Sequence, residues 1–348
     1  MNEKYLNMEM DELRRRIIKA KSDAGPQLTI LGHYYQKDEV IAFADFQGDS
    51  LGLCQQAVKQ KDVKHIVFCG VHFMAESADI LSADEQIVQL PDMAAGCPLA
   101  DFANIEMVEA VWSQLQKRIG TEDIIPITYI NSDADLKAFC GRHGGSVCTS
   151  SNADAILRWA LNKGRRVFFF PDQHLGRNTA NKIGIPEEQI LLWTLGEEIS
   201  DQALERSKII LWDGYCHVHH FFSTDHVDQV REEHPGVKII VHPECNEDVV
   251  KASDENGSTS KIVNYIKDAE SGSVIAIGTE FNLVNRLANQ RSDITVIPLA
   301  RSICHTMNKI SLSNLCYTLD NIGTHNVVTV EDDIKKEAII ALNQMLSL

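Results

Sequence analysis

The sequence predicts an α/β fold of three repeated units with parallel sheets, and three observations carry that prediction. First, nine short apolar runs alternate with helical patterns: QLTILGHYY, KHIVFCGVH, EQIVQLPD, IIPITYIN, RRVFFFPD, KIILWDGY, VKIIVHPE, SVIAIGTE and ITVIPLA. Strands separated by helical segments make βαβ units. Second, these runs are apolar almost throughout, as befits strands covered on both faces. Third, the chain repeats itself.

Each repeat has the same order. The first strand ends in polar residues: His33 with Tyr34 and Tyr35, Tyr129 with Asn131, and His242 with Glu244. A small polar helix start follows, as GDSLG (48–52), CTSSN (148–152) and NGSTS (256–260). The spacing is 17 residues from His33 to Ser50, 21 from Tyr129 to Ser150 and 17 from His242 to Thr259. A second strand and helix come next. The third strand then leads into a cysteine: Cys97, Cys216 and Cys304. The repeats span about residues 24–100, 101–217 and 218–305. Residues 1–23 and 306–348 read as helices packing on the first repeat, and DDIKKEAIIALNQMLSL is helical by its spacing. Any α/β chain alternates strand and helix by chance. One cysteine at the matched place in each unit argues for true repetition.

Composition limits the function. A chain of 348 residues can build two or three compact units. The formal net charge of −16 argues against nucleic-acid binding, which needs basic surface. No stretch reaches the roughly 18 apolar residues of a membrane span. The first 25 residues are heavily charged and carry no secretory h-region, so a cytoplasmic protein is expected. There, nine cysteines without a CxxC pair are thiols, and most read as small buried hydrophobes. GxGxxG, Walker A and HExxH motifs are absent from the sequence.

Ligands of open α/β sheets bind beyond the carboxyl ends of the strands. Three kinds of group would meet there. Helix starts bearing Ser50, Ser150, Ser258 and Thr259 suit anions, or are plain N-caps. The strand ends supply His33, Tyr35, Tyr129, Asn131, His242 and Glu244 for proton transfer and hydrogen bonding. Three cysteines could hold a [4Fe–4S] cluster with one open iron, or a zinc ion; spacing does not separate the two. GYCHVHH (214–220) also suggests zinc or copper, but adjacent histidines on a helix or strand do not share a face. Asp172 and His174 in PDQHLGRNTA either act in the site or only fix the exit of the second strand, and the structural role is favoured.

In order along nearly the whole chain, GHYYQ, GDSLG, GCPLAD, YINSDADLKAF, VCTSSNA, PDQHLGRNTA, GYCHVH, VHPEC and GSTSKI resemble quinolinate synthase, the NadA family of NAD biosynthesis. The resemblance implies three homologous three-layer αβα domains with parallel sheets around a pseudo-threefold axis and an active site at the centre. It implies a [4Fe–4S] cluster on Cys97, Cys216 and Cys304. It implies condensation of iminoaspartate with dihydroxyacetone phosphate to quinolinate, phosphate and water, with functional coupling to a supplier such as L-aspartate oxidase. The family's substrate-binding positions fall on His33, Ser50, Tyr129, Asn131, Ser150, His242, Glu244 and Thr259, and its catalytic tyrosine on Tyr35. On that reading Glu244 and Tyr35 move protons, while His33 and His242 orient substrate oxygens. Two departures stand out. FCGRHGG is an insertion that shorter members lack. Cys304 stands outside the CxxCxxC run of some members, with Cys316 twelve residues on. The rivals are a mononuclear zinc or iron hydrolase or lyase around Cys216, and a metabolite-binding protein with inert cysteines.

Overall fold

The computed structural model describes residues 3–348. Its fourteen strands form three sheets, and the strands run in chain order through them. The first sheet contains β1 (Leu28–His33), β2 (Phe46–Gly48), β3 (His65–Cys69) and β4 (Ile87–Gln89). The second contains β5 (Ile124–Tyr129), β6 (Ser146–Cys148), β7 (Arg166–Phe170), β8 (Ile190–Trp193) and β9 (Ile209–Trp212). The third contains β10 (Lys238–Val241), β11 (Glu255–Asn256), β12 (Val274–Gly278) and β13 (Thr295–Pro298). The last strand, β14 (Val327–Val328), returns to the first sheet.

One strand order recurs: β2-β1-β3-β4, then β6-β5-β7-β9, then β11-β10-β12-β13, all parallel. Two strands are additions. β8 pairs parallel with β9, and β14 pairs antiparallel with β4. Helices flank the sheets, so the chain is α/β with three αβα layers, as expected. All nine expected strands form. Every residue of β1, β5 and β7 is buried, which is why these runs carry no polar alternation. The strands that the pattern did not announce are mostly short. FQG, SVC and EN hold their place by backbone pairing to the first strand of each unit. No helix among the described residues is long and apolar enough to cross a membrane.

The chain divides into two compact units. Residues 1–97 and 303–331 form one. There the amphipathic helix Met10–Ala24 buries Leu13 and Ile17 and packs on the helix Leu312–Asp320, with Arg16 and the Tyr5 hydroxyl both on Asp320. Residues 98–302 and 332–348 form the other, with the second and third sheets. The expectation that all of 306–348 packs on the first repeat therefore needs correction. The helix Asp332–Leu346 lies instead on the helix Ala134–Arg142 and on β6. Gly141 makes this possible, because a Cβ there would sit 2.0 Å from the Glu337 carbonyl oxygen. Arg142 pairs with Glu337 at 2.6 Å, and Asn152 donates to the Met345 carbonyl at 3.2 Å. The FCGRHGG insertion is the seat for this helix.

Candidate active site

In the first unit, β1 delivers a histidine and a tyrosine to the strand's carboxyl end. His33 and Tyr35 are 4% and 9% exposed, with their rings edge to face at 4.7 Å. The Tyr35 N–H donates to His33 Nδ1 at 3.2 Å, which fixes the plane of the imidazole. Asp49 caps the helix Ser50–Lys59 by accepting the Gly52 N–H at 2.9 Å. Ser50 is thus the first helical residue rather than the cap, and its hydroxyl is spared that duty. Cys97 follows β4, and Cys304 sits with its Sγ 3.4 Å from the Thr306 hydroxyl.

The second unit repeats the arrangement twice. Tyr129 ends β5, buried, and its carbonyl accepts the Ser132 hydroxyl at 2.8 Å in the turn that carries Asn131. Ser150 lies in the turn closed by Asn152 Oδ1 on the Thr149 N–H at 2.8 Å. Ser258 caps the helix Thr259–Lys267 by accepting the Lys261 N–H at 3.3 Å, with Thr259 first in the helix. Ser150 and Ser258 line a polar cavity of about 240 Å³ with Asn178, Thr179, Lys182 and Lys261. Asp154 also lines the cavity and pairs with Lys182 at 2.8 Å, while Lys261 pairs with Glu255 at 2.9 Å, so the helix N-termini are the groups that suit an anion there.

Beyond β10, His242 and Glu244 are both 2% exposed. Glu244 Oε2 lies 2.5 Å from His219 Nδ1 and 3.3 Å from His242 Nδ1. The two imidazoles stack at 4.2 Å, and His219 Nε2 is 3.0 Å from the Thr279 hydroxyl. Burial, with His242 beside it, lowers His219 to about 4. Burial alone would raise Glu244, but His219 and His242 outweigh it and hold the carboxyl well below the usual range. The consistent state at neutral pH is an ionised Glu244 beside a neutral His219, whose Nε2 lies against the Thr279 hydroxyl.

All nine cysteines are thiols. Six are buried, and burial pushes Cys69 up to about 12 and Cys148 and Cys245 well above the ordinary range. Cys97, Cys216 and Cys304 are the three that keep partial exposure. Metals bind thiolates, so this division favours those three as ligands. Cys216 opens the short helix His217–His220, and its sulfur, a His219 nitrogen and a Glu244 oxygen lie within 4.8 Å of one another. The neighbouring histidines diverge. His219 faces inward, whereas His220 is exposed and 3.0 Å from His174.

Comparison with known proteins agrees with the residue pattern. The family model described as Quinolinate synthetase A protein matches residues 15–347. The chain belongs to the quinolinate synthetase A family. It is 48% identical to a quinolinate synthase of Rhodopirellula baltica, covering 99% of this chain and 93% of the relative. It is 49% identical to one of Bacillus pumilus, covering 99% and 95%. A third, from Anoxybacillus flavithermus, is 48% identical over 100% and 96%.

Within this family member, sequence reading did not assign three groups their place: His219, Thr279 and Asn178. His219 was set among the candidates for a separate metal site rather than paired with Glu244. Thr279 and Asn178 sit in helical or strand-end patterns that carry no chemical signal. Asp172 caps the helix Gln173–Lys182, accepting the Leu175 N–H at 2.6 Å, in keeping with the structural role expected of it. Asn178 donates to the Pro243 and Cys245 carbonyls at 2.9 and 2.8 Å, which fixes the turn that carries Glu244.

Proposed function

We propose that the protein is a quinolinate synthase of NAD biosynthesis, condensing iminoaspartate with dihydroxyacetone phosphate to quinolinate, phosphate and water. The observation that carries this reading is near-full-length identity to quinolinate synthases together with three partly exposed thiols at the matched ends of three repeats. The reading includes a [4Fe–4S] cluster on Cys97, Cys216 and Cys304 and a cytoplasmic enzyme supplied with labile iminoaspartate by an enzyme such as L-aspartate oxidase.

The thiol donors fit such a group. When bound by three thiolates, a cluster supplies one iron open to substrate as a Lewis acid. The chain's own residues do the rest. Ionised Glu244 accepts a proton from substrate, and His219 packed against its Oε2 keeps the carboxylate oriented. His242, against the same oxygen, orients substrate oxygens. The Tyr35 phenol exchanges a proton, and His33 presents a ring nitrogen as acceptor or donor. Ser50 and Thr259, each first in a capped helix, hold carboxylate or phosphate with Ser150, Tyr129 and Asn131. Burial of His33, Tyr35, Tyr129, His242, Glu244 and Thr259 keeps water from the reacting groups.

One observation favours a second reading. A thiolate, an imidazole and a carboxylate within 4.8 Å, at Cys216, His219 and Glu244, are a donor set that zinc accepts with one water. Anaerobic visible spectra with iron and sulfide analysis, for the protein and for Cys216→Ala, decide between them. Broad absorption with about four irons per chain, lost in the variant, and quinolinate formed from the two substrates support the cluster enzyme. A colourless protein with one zinc, no sulfide and no quinolinate refutes it.

A further inference from the structure

The segment PDQHLGRNTA (171–180) takes no part in the chemistry above, yet it holds a fully buried carboxylate. Asp172 Oδ1 accepts the Leu175 N–H at 2.6 Å and so caps its helix. Capping does not require burial: Asn104 caps the helix Ile105–Ile119 in the same way while exposed. Asp172 Oδ2, by contrast, is buried with no hydrogen bond of its own. Burial, with the Glu244 charge nearby, holds the Asp172 carboxyl well above the usual range.

The main chain around Asp172 is joined to the loop that carries Cys216. Asp172 bridges Gly214, the Gln173 N–H donates to the Gly214 carbonyl at 2.8 Å, and Gln173 Nε2 donates to Asp213 at 2.5 Å. The Cys216 carbonyl accepts the His219 and His220 N–H groups at 3.1 and 2.9 Å. Cys216 is therefore held at its carbonyl by the helix it opens, and its loop is tied at Asp213 and Gly214 to the segment that carries the buried aspartate. One turn and a half further along, Asn178 grips both carbonyls flanking Glu244. A single helix thus connects the Cys216 loop to the Glu244 turn.

We propose that Asp172 is a positioning residue for Cys216, and that the helix Gln173–Lys182 registers the Cys216 loop against the His242–Glu244 turn. The proposal rests on Cys216 being a ligand of the iron–sulfur cluster. Partners behind a metal's ligands typically tune metal affinity by roughly 10–100-fold.

The decisive variant is Asp172→Asn. It keeps Oδ1 for Leu175, but it turns the buried second oxygen into an N–H donor beside the Cys216 loop. A residue needed only as a helix cap would tolerate that change. The measurements are iron release to a chelator and the electron paramagnetic resonance spectrum of the reduced cluster, on anaerobically reconstituted full-length protein. Iron release roughly 10–100-fold faster than wild type, with a changed spectrum, is expected for Asp172→Asn and for Asp172→Ala. Asn104→Ala, which removes a cap alone, should match wild type. Asp172→Ala is the variant at risk of misfolding, and Asp172→Asn decides if it does. Wild-type release and spectrum in Asp172→Asn overturn the positioning role while leaving the cluster reading intact. Failure of wild type itself to take up iron and sulfide overturns both.

Discussion

Replacing Gly214 by alanine tests whether the crossing of residues 171–173 over the Cys216 loop is as tight as it looks. A Cβ at Gly214 would lie 2.4 Å from the Pro171 carbonyl oxygen and 2.8 and 3.0 Å from Cβ and Cγ of Phe102. The nearest contact is backbone, so it cannot swing away. Reaching ordinary contact requires the two segments to part by about 1 Å, which breaks the 2.8 Å bond from the Gln173 N–H to the Gly214 carbonyl. Overpacking costs about 1–3 kcal/mol and the lost hydrogen bond about 0.5–1.5 kcal/mol, so about 2–4 kcal/mol in all. For a unit of this size that lowers the melting temperature by roughly 4–16 °C. The assay is thermal unfolding of the metal-free protein, followed by iron content after reconstitution. Gly96→Ala is the control, because nothing lies within 4 Å of a Cβ there. A Gly214→Ala protein melting within about 2 °C of wild type, with normal iron content, would refute the reasoning.

Glu244→Gln should lower quinolinate formation by roughly 10²–10⁴-fold while iron content stays near wild type, read by product assay and metal analysis together. Acid should destabilise the metal-free protein through His219. The unfolded chain takes up a proton near 6.5 and the folded chain only near 4, so stability is full above 6.5 and falls by about 3 kcal/mol as pH drops to about 4. Glu244, held low in the fold, extends the loss below 4.5. Urea unfolding across that range measures the slope, and His219→Phe should flatten it. Gly141→Ala should lower the melting temperature without touching chemistry, since its Cβ would meet the Glu337 carbonyl at 2.0 Å. Cys54→Ala, at a buried thiol, should leave the iron-to-protein ratio unchanged.

The parts of the fold that were legible are those driven by burial. Nine strands announced themselves because both faces are covered, so FFF in β7 could be little else. The two- and three-residue strands β2, β6 and β11 were silent because backbone pairing, not side chains, holds them. The helix starts were legible as places, but not as roles. GDSLG marks a helix N-terminus, yet whether Asp49 or Ser50 does the capping depends on one dihedral. His219 lay in plain view among its neighbours. Its partner Glu244 is distant in sequence, and no local period records that meeting. The placing of Asp332–Leu346 was missed for a similar reason: Gly141 reads as a weak helix residue, and its value appears only when another backbone arrives.

That late arrival has a consequence for biosynthesis. Arg142 and Glu337 are 195 residues apart in the chain. At translation rates of roughly 5–20 residues per second, the helix Ala134–Arg142 waits roughly 10–40 s for the segment that covers it. The middle of this protein is therefore made early and finished late, and the nascent chain must carry an uncovered apolar face through that interval.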